Sequence, residues 1–411
     1  MNLKKALSTI VAVVALAGCV SQTNQNLSED TQLSNQQLET FSNSDKAVIE
    51  IKLKDLNKDL IDLSTKSFDL FGINKKTKTV RARVTRAQQE YVESKGLTVK
   101  AFFENGMTKG SGLLPGYMTT EEMHTKMKAI AAKFPDIASV SEIGKTWEKR
   151  SIYALTISNK KSKKDGKFES MFIGGMHARE LAPPEIMYRL ADTLTSGYGK
   201  DANITTLVDT RTIHIIPMVN VDGRIQVEKG NTWQRKNTHG SGVDLNRNFD
   251  SYWNYKGLNV PSSWIGDAGN QNSETYSGSG PASEPEVQAI QNFYTGKKIN
   301  MVLDMHAYGE MFFWPVGYSD KDVPEVAVFK EMYKNTFQGI NYEGGTSMGL
   351  LYPTTGTTDD YAYVKHNAFG LGMEVGQSFR PSSQDVEGMW SKLKPGLLYL
   401  LKANNKTLKS K

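Results

Sequence analysis

His177 and Glu180 stand three positions apart in the stretch His177-Ala178-Arg179-Glu180. That spacing brings an imidazole and a carboxylate to one side of a helical turn or tight loop, where both can reach one zinc ion. The pair alone says little: with six histidines in the chain, the pattern arises by chance roughly one time in three. Its weight depends on a third ligand, a base and a clamp for substrate. His306 offers the third ligand. His177 follows an apolar segment ending at Gly174, and His306 follows one ending near Met305. Both are therefore expected at carboxyl ends of strands, where open α/β sheets place their sites. Two histidines and one carboxylate leave a fourth position open for water, as catalytic zinc requires. His124, His214, His239 and His366 lack ligand-like spacing, and His214, inside an apolar run, reads as a hydrogen-bonded structural histidine.

The pattern continues beyond the ligands. His177-x-x-Glu180 with His306 126 residues further on resembles the ligand set of the zinc carboxypeptidases of the A/B type. Trp233-Gln234-Arg235-Lys236-Asn237 is similar to that family's Trp-x-Arg-Lys-Asn segment, and Gly242 to Asn248 to its Gly-Val-Asp-x-Asn-Arg-Asn segment. Tyr352 to Tyr361 resembles its mobile tyrosine loop, and Glu374, 22 residues after Tyr352, matches its catalytic glutamate in type and spacing. The resemblance covers about Tyr117 to Lys402. Ala307, where the animal enzymes usually carry serine, and Gly376-Gln377, in place of a charged pair, depart from it and leave subsite detail open.

The resemblance implies roles that the chemistry can support. Zinc lowers the pKa of its water to about 7 and polarises the carbonyl. Glu374 takes the water's proton and passes it to the departing amine, and Arg235 faces the oxyanion. Arg247 suits a free C-terminal carboxylate because its guanidinium is planar and bidentate. Asn246 and Tyr352 add hydrogen bonds, Arg179 lines the approach, and Asp244 holds His177 in its metal-binding tautomer. Taken singly, Asn246 and Arg247 also read as surface polars and Tyr352 as a loop aromatic.

Asp359, seven positions after Tyr352, occupies the place that lines the base of the terminal side-chain pocket in the family. An aspartate there resembles the B type, which removes Lys or Arg; a buried carboxylate is costly unless a cation arrives to pair with it. The alternative is a solvated loop charge beside Asp360.

Alternation of strand-like and helix-like segments beyond Gly116 predicts an α/β domain with a mixed, mostly parallel central sheet flanked by helices. Ser151–Ser158, Ser170–Gly174, Thr212–Val219 and Ile299–Met305 read as strands. Thr119 or Thr120 opens a helix burying Met123, Met127, Ile130 and Phe134. Pro183 and Pro184 sit at a second helix start, and Ser283 with Glu286 forms a capping box. Phe249 to Gly280 is long, polar and Gly-rich, an excursion expected to border a site. Ahead of this domain (116–403), residues 46–105 read as a small α+β unit: alternating strands at 47–53 and 79–84, a helix from the Thr85/Gln88 capping box, and a further strand at 97–103. That unit loosely resembles the prosegments that cover the site in this family; a permanent spacer is the other reading.

The chain's 411 residues, 38% hydrophobic and 23% charged, fit a soluble globular protein with a large domain and a small one. Met1 to Lys5 is a basic start and Ala6 to Ala17 an apolar run too short to span a bilayer. Leu16-Ala17-Gly18-Cys19 resembles a bacterial lipobox, so 1–18 is expected to be a lipoprotein signal peptide, Cys19 the lipidated residue and 19–45 a polar tether. The alternative is an ordinary cleavage site with an incidental cysteine. Removing Lys4 and Lys5 from a net charge of +6 leaves about +4, without a basic run, so nucleic acid is excluded as a partner. The expected partners are peptide or protein C-termini and, through Cys19, a membrane, possession of Val20 pointing weakly to the outer one; the expected state is a monomer with one zinc ion. A cell-wall stem peptidase of the same superfamily and a non-catalytic surface lipoprotein are the competing functions.

Overall fold

The computed structural model describes residues 46–402 apart from 103, 105–106, 108–109, 111, 163–166 and 266–268. The leader, Cys19 and the tether lie outside the described residues. Four strands, β1 (Ala47–Lys52), β2 (Asp69–Asn74), β3 (Thr79–Val84) and β4 (Thr98–Ala101), form an antiparallel sheet of order β2-β3-β1-β4. Alternate residues Ile49, Ile51, Val80, Ala82 and Val84 point to one face and pack on Leu60, Leu63 and Val92 of two short helices. The Thr85/Gln88 capping box forms as expected.

The second sheet holds β5 (Ala138–Lys145), β6 (Ser151–Ile157), β7 (Phe168–Ile173), β8 (Arg211–Ile216), β9 (Ile299–His306), β10 (Met311–Phe313), β11 (Glu343–Gly345) and β12 (Phe369–Glu374). Its order is β11-β10-β12-β9-β7-β8-β6-β5, with the central four strands parallel and the flanks mixed. Chain order runs outward from β7 to β8 on one side and from β9 to β12 on the other. A cleft opens at such a switch point, outside the carboxyl ends of β7 and β9.

Helices cover both faces. Leu303 and Met305 of β9 and Leu371 and Met373 of β12 pack on one side with the helices Thr120–Lys133, Ala182–Gly197, Val326–Thr336 and Ser383–Leu400. Val302, Met171 and Ile173 pack on the other with the helices Pro285–Phe293 and Thr358–His366. Thr119 caps the first of these helices in a full capping box with Glu122. Ser283, in contrast, does not cap the helix Pro285–Phe293. Glu284 is the residue at the cap position, Ser283 Oγ is taken up by Glu284 and Asn248, and Glu286 accepts from the Trp147 N–H instead. Competing side-chain partners outweigh the local capping bond here. Among the described residues no helix is long and apolar enough to cross a membrane.

Gly370 of β12 lets the helix Thr358–His366 lie on the strand: a Cβ there would stand 1.9 Å from the Asp359 carbonyl oxygen. Gly370→Ala is expected to lower the unfolding free energy by about 1–3 kcal/mol or more, as overpacking does, in a denaturant titration. An unchanged midpoint would show that the helix is free to shift.

Candidate active site

Period-two alternation builds the site from β9 and β12. On one face of β9 the sequence runs Val302, Asp304, His306, leaving the apolar layer and becoming polar at the strand end. The paired face of β12 runs Gly370, Gly372, Glu374, in register with Val302, Asp304 and His306. Beyond β7 the chain makes a tight turn, closed by Glu180 N–H onto the His177 carbonyl at 3.3 Å, and presents His177 and Glu180 to the same point.

The donor atoms converge there. His177 Nδ1 lies 2.7 Å from Glu180 Oε1 and 3.1 Å from His306 Nδ1, and His306 Nδ1 is 3.2 Å from Glu180 Oε2. Ligand atoms of the three residues fall within 4.8 Å of one another, all buried. The second nitrogens face away. His177 Nε2 lies 3.0 Å from Asp244 Oδ1; a proton donated there from Nε2 leaves the Nδ1 lone pair pointing inward. His306 Nε2 lies 3.0 Å from both Asn246 Nδ2 and Asp304 Oδ2. Glu180 Oε2 also accepts from the Ala307 N–H at 3.1 Å. Two imidazole nitrogens and a carboxylate converging this way fit a zinc ion, with Asp244 placed to hold the tautomer of His177.

Charges around the set shift the acids in opposite directions. Burial would raise Glu180, yet His177 and His306 hold its carboxyl well below the usual range. Burial would also raise Asp244, and Arg235 and His177 overcome it; Arg235 donates to Asp244 Oδ2 at 2.8 Å and lies 3.7 Å from Glu180. Glu374 goes the other way, pushed up to about 8 by burial first and by the charge of Glu180 second. Its Oε2 is buried and without a hydrogen-bond partner.

One cavity is lined by His177, Arg179, Glu180, Arg235, Asn246, Arg247, His306, Tyr352, Asp359 and Glu374. These are the residues singled out in the sequence, with Asp244 directly behind them. Arg247 spends its Nη1 on the Asn246 carbonyl at 2.7 Å. Asn246 Oδ1 accepts from the Thr358 N–H and hydroxyl, so its amide ties the turn to the helix Thr358–His366 as well as facing His306. Asp359, in the first turn of that helix, is buried rather than a solvated loop charge, and Asp360 is occupied by the Gly317 N–H. His214 bonds Thr156 and stays remote, as a structural histidine does. The 249–280 excursion lines a second cavity that shares Arg247 and Tyr352.

A model of the zinc carboxypeptidase family matches residues 123–395, about two thirds of the chain. The chain belongs to the zinc carboxypeptidase family. Among curated relatives, carboxypeptidase O of Bos taurus is 30% identical over 260 residues, 60% of this chain and 66% of that protein. Carboxypeptidase B of Bos taurus is 28% identical over 321 residues, 72% of this chain and 74% of its own. The matches span 62–66% of the length of the first three relatives. Likeness of fold covers more of the chain than the family model: the crystal structure of thrombin-activatable fibrinolysis inhibitor superposes with a TM-score of 0.69 at 21% identity, covering 89% of this chain and 99% of the other. Carboxypeptidase A from Helicoverpa armigera gives 0.69 at 20% identity, covering 89% and 98%.

Several cavity residues escaped the sequence reading. Tyr308 and Phe379 line the cavity, with Phe71 of the N-terminal sheet inserted against them at ring separations of 6.1 and 5.0 Å. Asp304 is the i−2 neighbour of His306 on one face of β9, a signal masked by its apolar neighbours Leu303 and Met305. Arg179 carries the largest difference from expectation. It borders the cavity, but its guanidinium is forked onto Asp69 of β2 through two 2.6 Å bonds and is 1% exposed. No local pattern announces a partner 110 residues away.

Burial alone would raise the Asp69 carboxyl, but the charge and hydrogen bonds of Arg179 hold it below its ordinary value. A depressed folded-state pKa gives stability that is complete above about pH 3.9, the unfolded value, and lost as pH falls through the lower folded value. Asp69→Asn strands a buried arginine and is expected to cost about 3–5 kcal/mol at neutral pH. Thermal unfolding of both proteins should show that gap closing towards pH 3; a gap independent of pH contradicts this reading of the clamp.

Proposed function

We propose that this chain is a zinc-dependent metallocarboxypeptidase that removes single C-terminal residues, Lys or Arg by preference, from peptides and proteins. The observation that carries the reading is the meeting, in one cavity, of the three inward donors, the unpartnered Glu374 Oε2 and the Arg247 fork. His177, Glu180 and His306 would hold the metal. When bound, zinc supplies Lewis acidity, polarising a carbonyl and making water acidic enough to attack near neutral pH.

The chain's own residues account for the rest. Arg247, with Nη1 on a backbone carbonyl, keeps the remainder of its planar fork for the terminal carboxylate, assisted by Asn246 and Tyr352. Arg235, fixed by Asp244, faces the oxygen that becomes negative. Glu374 accepts a proton from the attacking water as the C–O bond forms, and returns it to the amine as the C–N bond breaks. A carboxyl whose proton affinity lies near neutrality suits both transfers. Asp359 supports the basic preference, being a buried carboxylate in the cavity lining.

Export and lipid attachment at Cys19, with peptide and protein C-termini met outside the cytoplasm, belong to the same reading and rest on the sequence of the leader. The N-terminal sheet is read as a cover: Leu70, Phe71, Gly72 and Ile73 of β2 line the cavity, and Asp69 occupies Arg179. Cutting near Met107 to Leu114 would free the cavity.

Zinc-loaded protein, intact and after limited proteolysis, should shorten peptides by one C-terminal residue, detected by mass spectrometry. A chelator should abolish this and zinc restore it. Proteolysis should raise the rate; no change removes the cover. Glu374→Gln should lower kcat by about 10²–10⁴-fold, and retained turnover would sink the assignment of the base. Asp359→Ala should lower the ratio of Lys-ended to Phe-ended cleavage, whereas equal loss on both removes Asp359 as the selector.

A further inference from the structure

Asp304 is 1% exposed, and neither of its carboxylate oxygens has a hydrogen-bond partner. His306 Nε2 comes within 3.0 Å of Oδ2, but outside hydrogen-bond geometry. A buried carboxylate left in this condition is costly and is retained where a cation meets it.

Its position indicates which cation. Asp304 lines the same cavity as Asp359, Arg247 and Tyr352. It shares a face of the sheet with His306 and is level with Gly372 of β12, which also lines the cavity and puts no side chain over the strand. Asp304 therefore lines, with Asp359, the same cavity as the clamp for the terminal carboxylate.

We propose that Asp304 is a second acidic anchor of the terminal side-chain pocket, acting with Asp359, and that the two together select C-terminal arginine over lysine. The inference rests on the carboxypeptidase reading and narrows its substrate class. A guanidinium presents five N–H donors in a planar fork and can serve two carboxylates at once. An ammonium is a compact point charge on a flexible stem and satisfies one of them well. An apolar end group would leave both acids buried and unpaired, so the pocket disfavours it.

The test offers peptides differing only in a terminal Arg, Lys or Phe to the zinc-loaded full chain, intact and after limited trypsin, with zinc content measured in parallel. Asp304→Asn is expected to lower kcat/KM for the Arg peptide relative to the Phe peptide by roughly tenfold or more. It should also lower the Arg-to-Lys ratio by at least about threefold, with zinc retained. If Asp304→Asn does not fold, Asp304→Ser is read the same way. Equal loss on all three peptides together with loss of zinc would assign Asp304 to His306 alone and overturn the proposal; so would unchanged ratios. A wild-type chain that shortens none of the peptides overturns the carboxypeptidase reading itself, a separate result because no variant enters it.

Discussion

Two imidazole nitrogens and a carboxylate point at one buried spot, with ligand atoms within 4.8 Å. Electron-rich donors at such separations repel unless a proton or a cation lies among them. The surrounding residues are arranged around that constraint. Asp244 takes the outer nitrogen of His177, binds Arg235 and accepts the Asn246 N–H, so one buried carboxylate orients a ligand, a cation and the turn that carries Arg247. Asn246 then ties that turn to the helix bearing Asp359. The same field explains why Glu374 differs from its neighbours: burial first, and the charge of Glu180 second, push its carboxyl up to about 8.

The sheet makes this crowding affordable to the fold. The polar residues that face the site, Asp304 and His306 on β9 and Glu374 on β12, follow the apolar layer completed by Val302 and Gly370, and the opposite face stays apolar throughout. Arg179 obeys the same rule of compensation from a different direction. Its charge is buried against aromatic rings, with the Phe379 ring centre 4.2 Å from the guanidinium carbon, and the balancing carboxylate comes from β2 rather than from the eight-stranded sheet. A buried cation whose counter-ion belongs to another sheet couples the two sheets electrostatically.

Much of the site could be read in the sequence because its chemistry lies in short ordered segments. His177 and Glu180 sit in one turn, Arg235 and Asp244 to Arg247 in neighbouring loops, and the spacing from Tyr352 to Asp359 and Glu374 survives as a helix and the strand after it. The central strands and the caps at Thr85 and Thr119 were equally legible, since they depend on local bonds and period-two burial. Legibility failed where distant residues competed. Ser283 was drawn away from its helix by Asn248 and Glu284. Asp69 and Phe71 reach the cavity by tertiary packing that no local spacing encodes. Asp304 was hidden by apolar neighbours, although its spacing from His306 put it on the same face.

The central claim is that His177, Glu180 and His306 together bind zinc through the inward faces now turned toward each other. A crystal grown with zinc, with data collected on both sides of the zinc absorption edge, tests it most directly. The account predicts one anomalous peak per chain, about 2.0–2.2 Å from His177 Nδ1, His306 Nδ1 and a Glu180 carboxylate oxygen. A peak at other side chains, or none in zinc-saturated crystals, would contradict it.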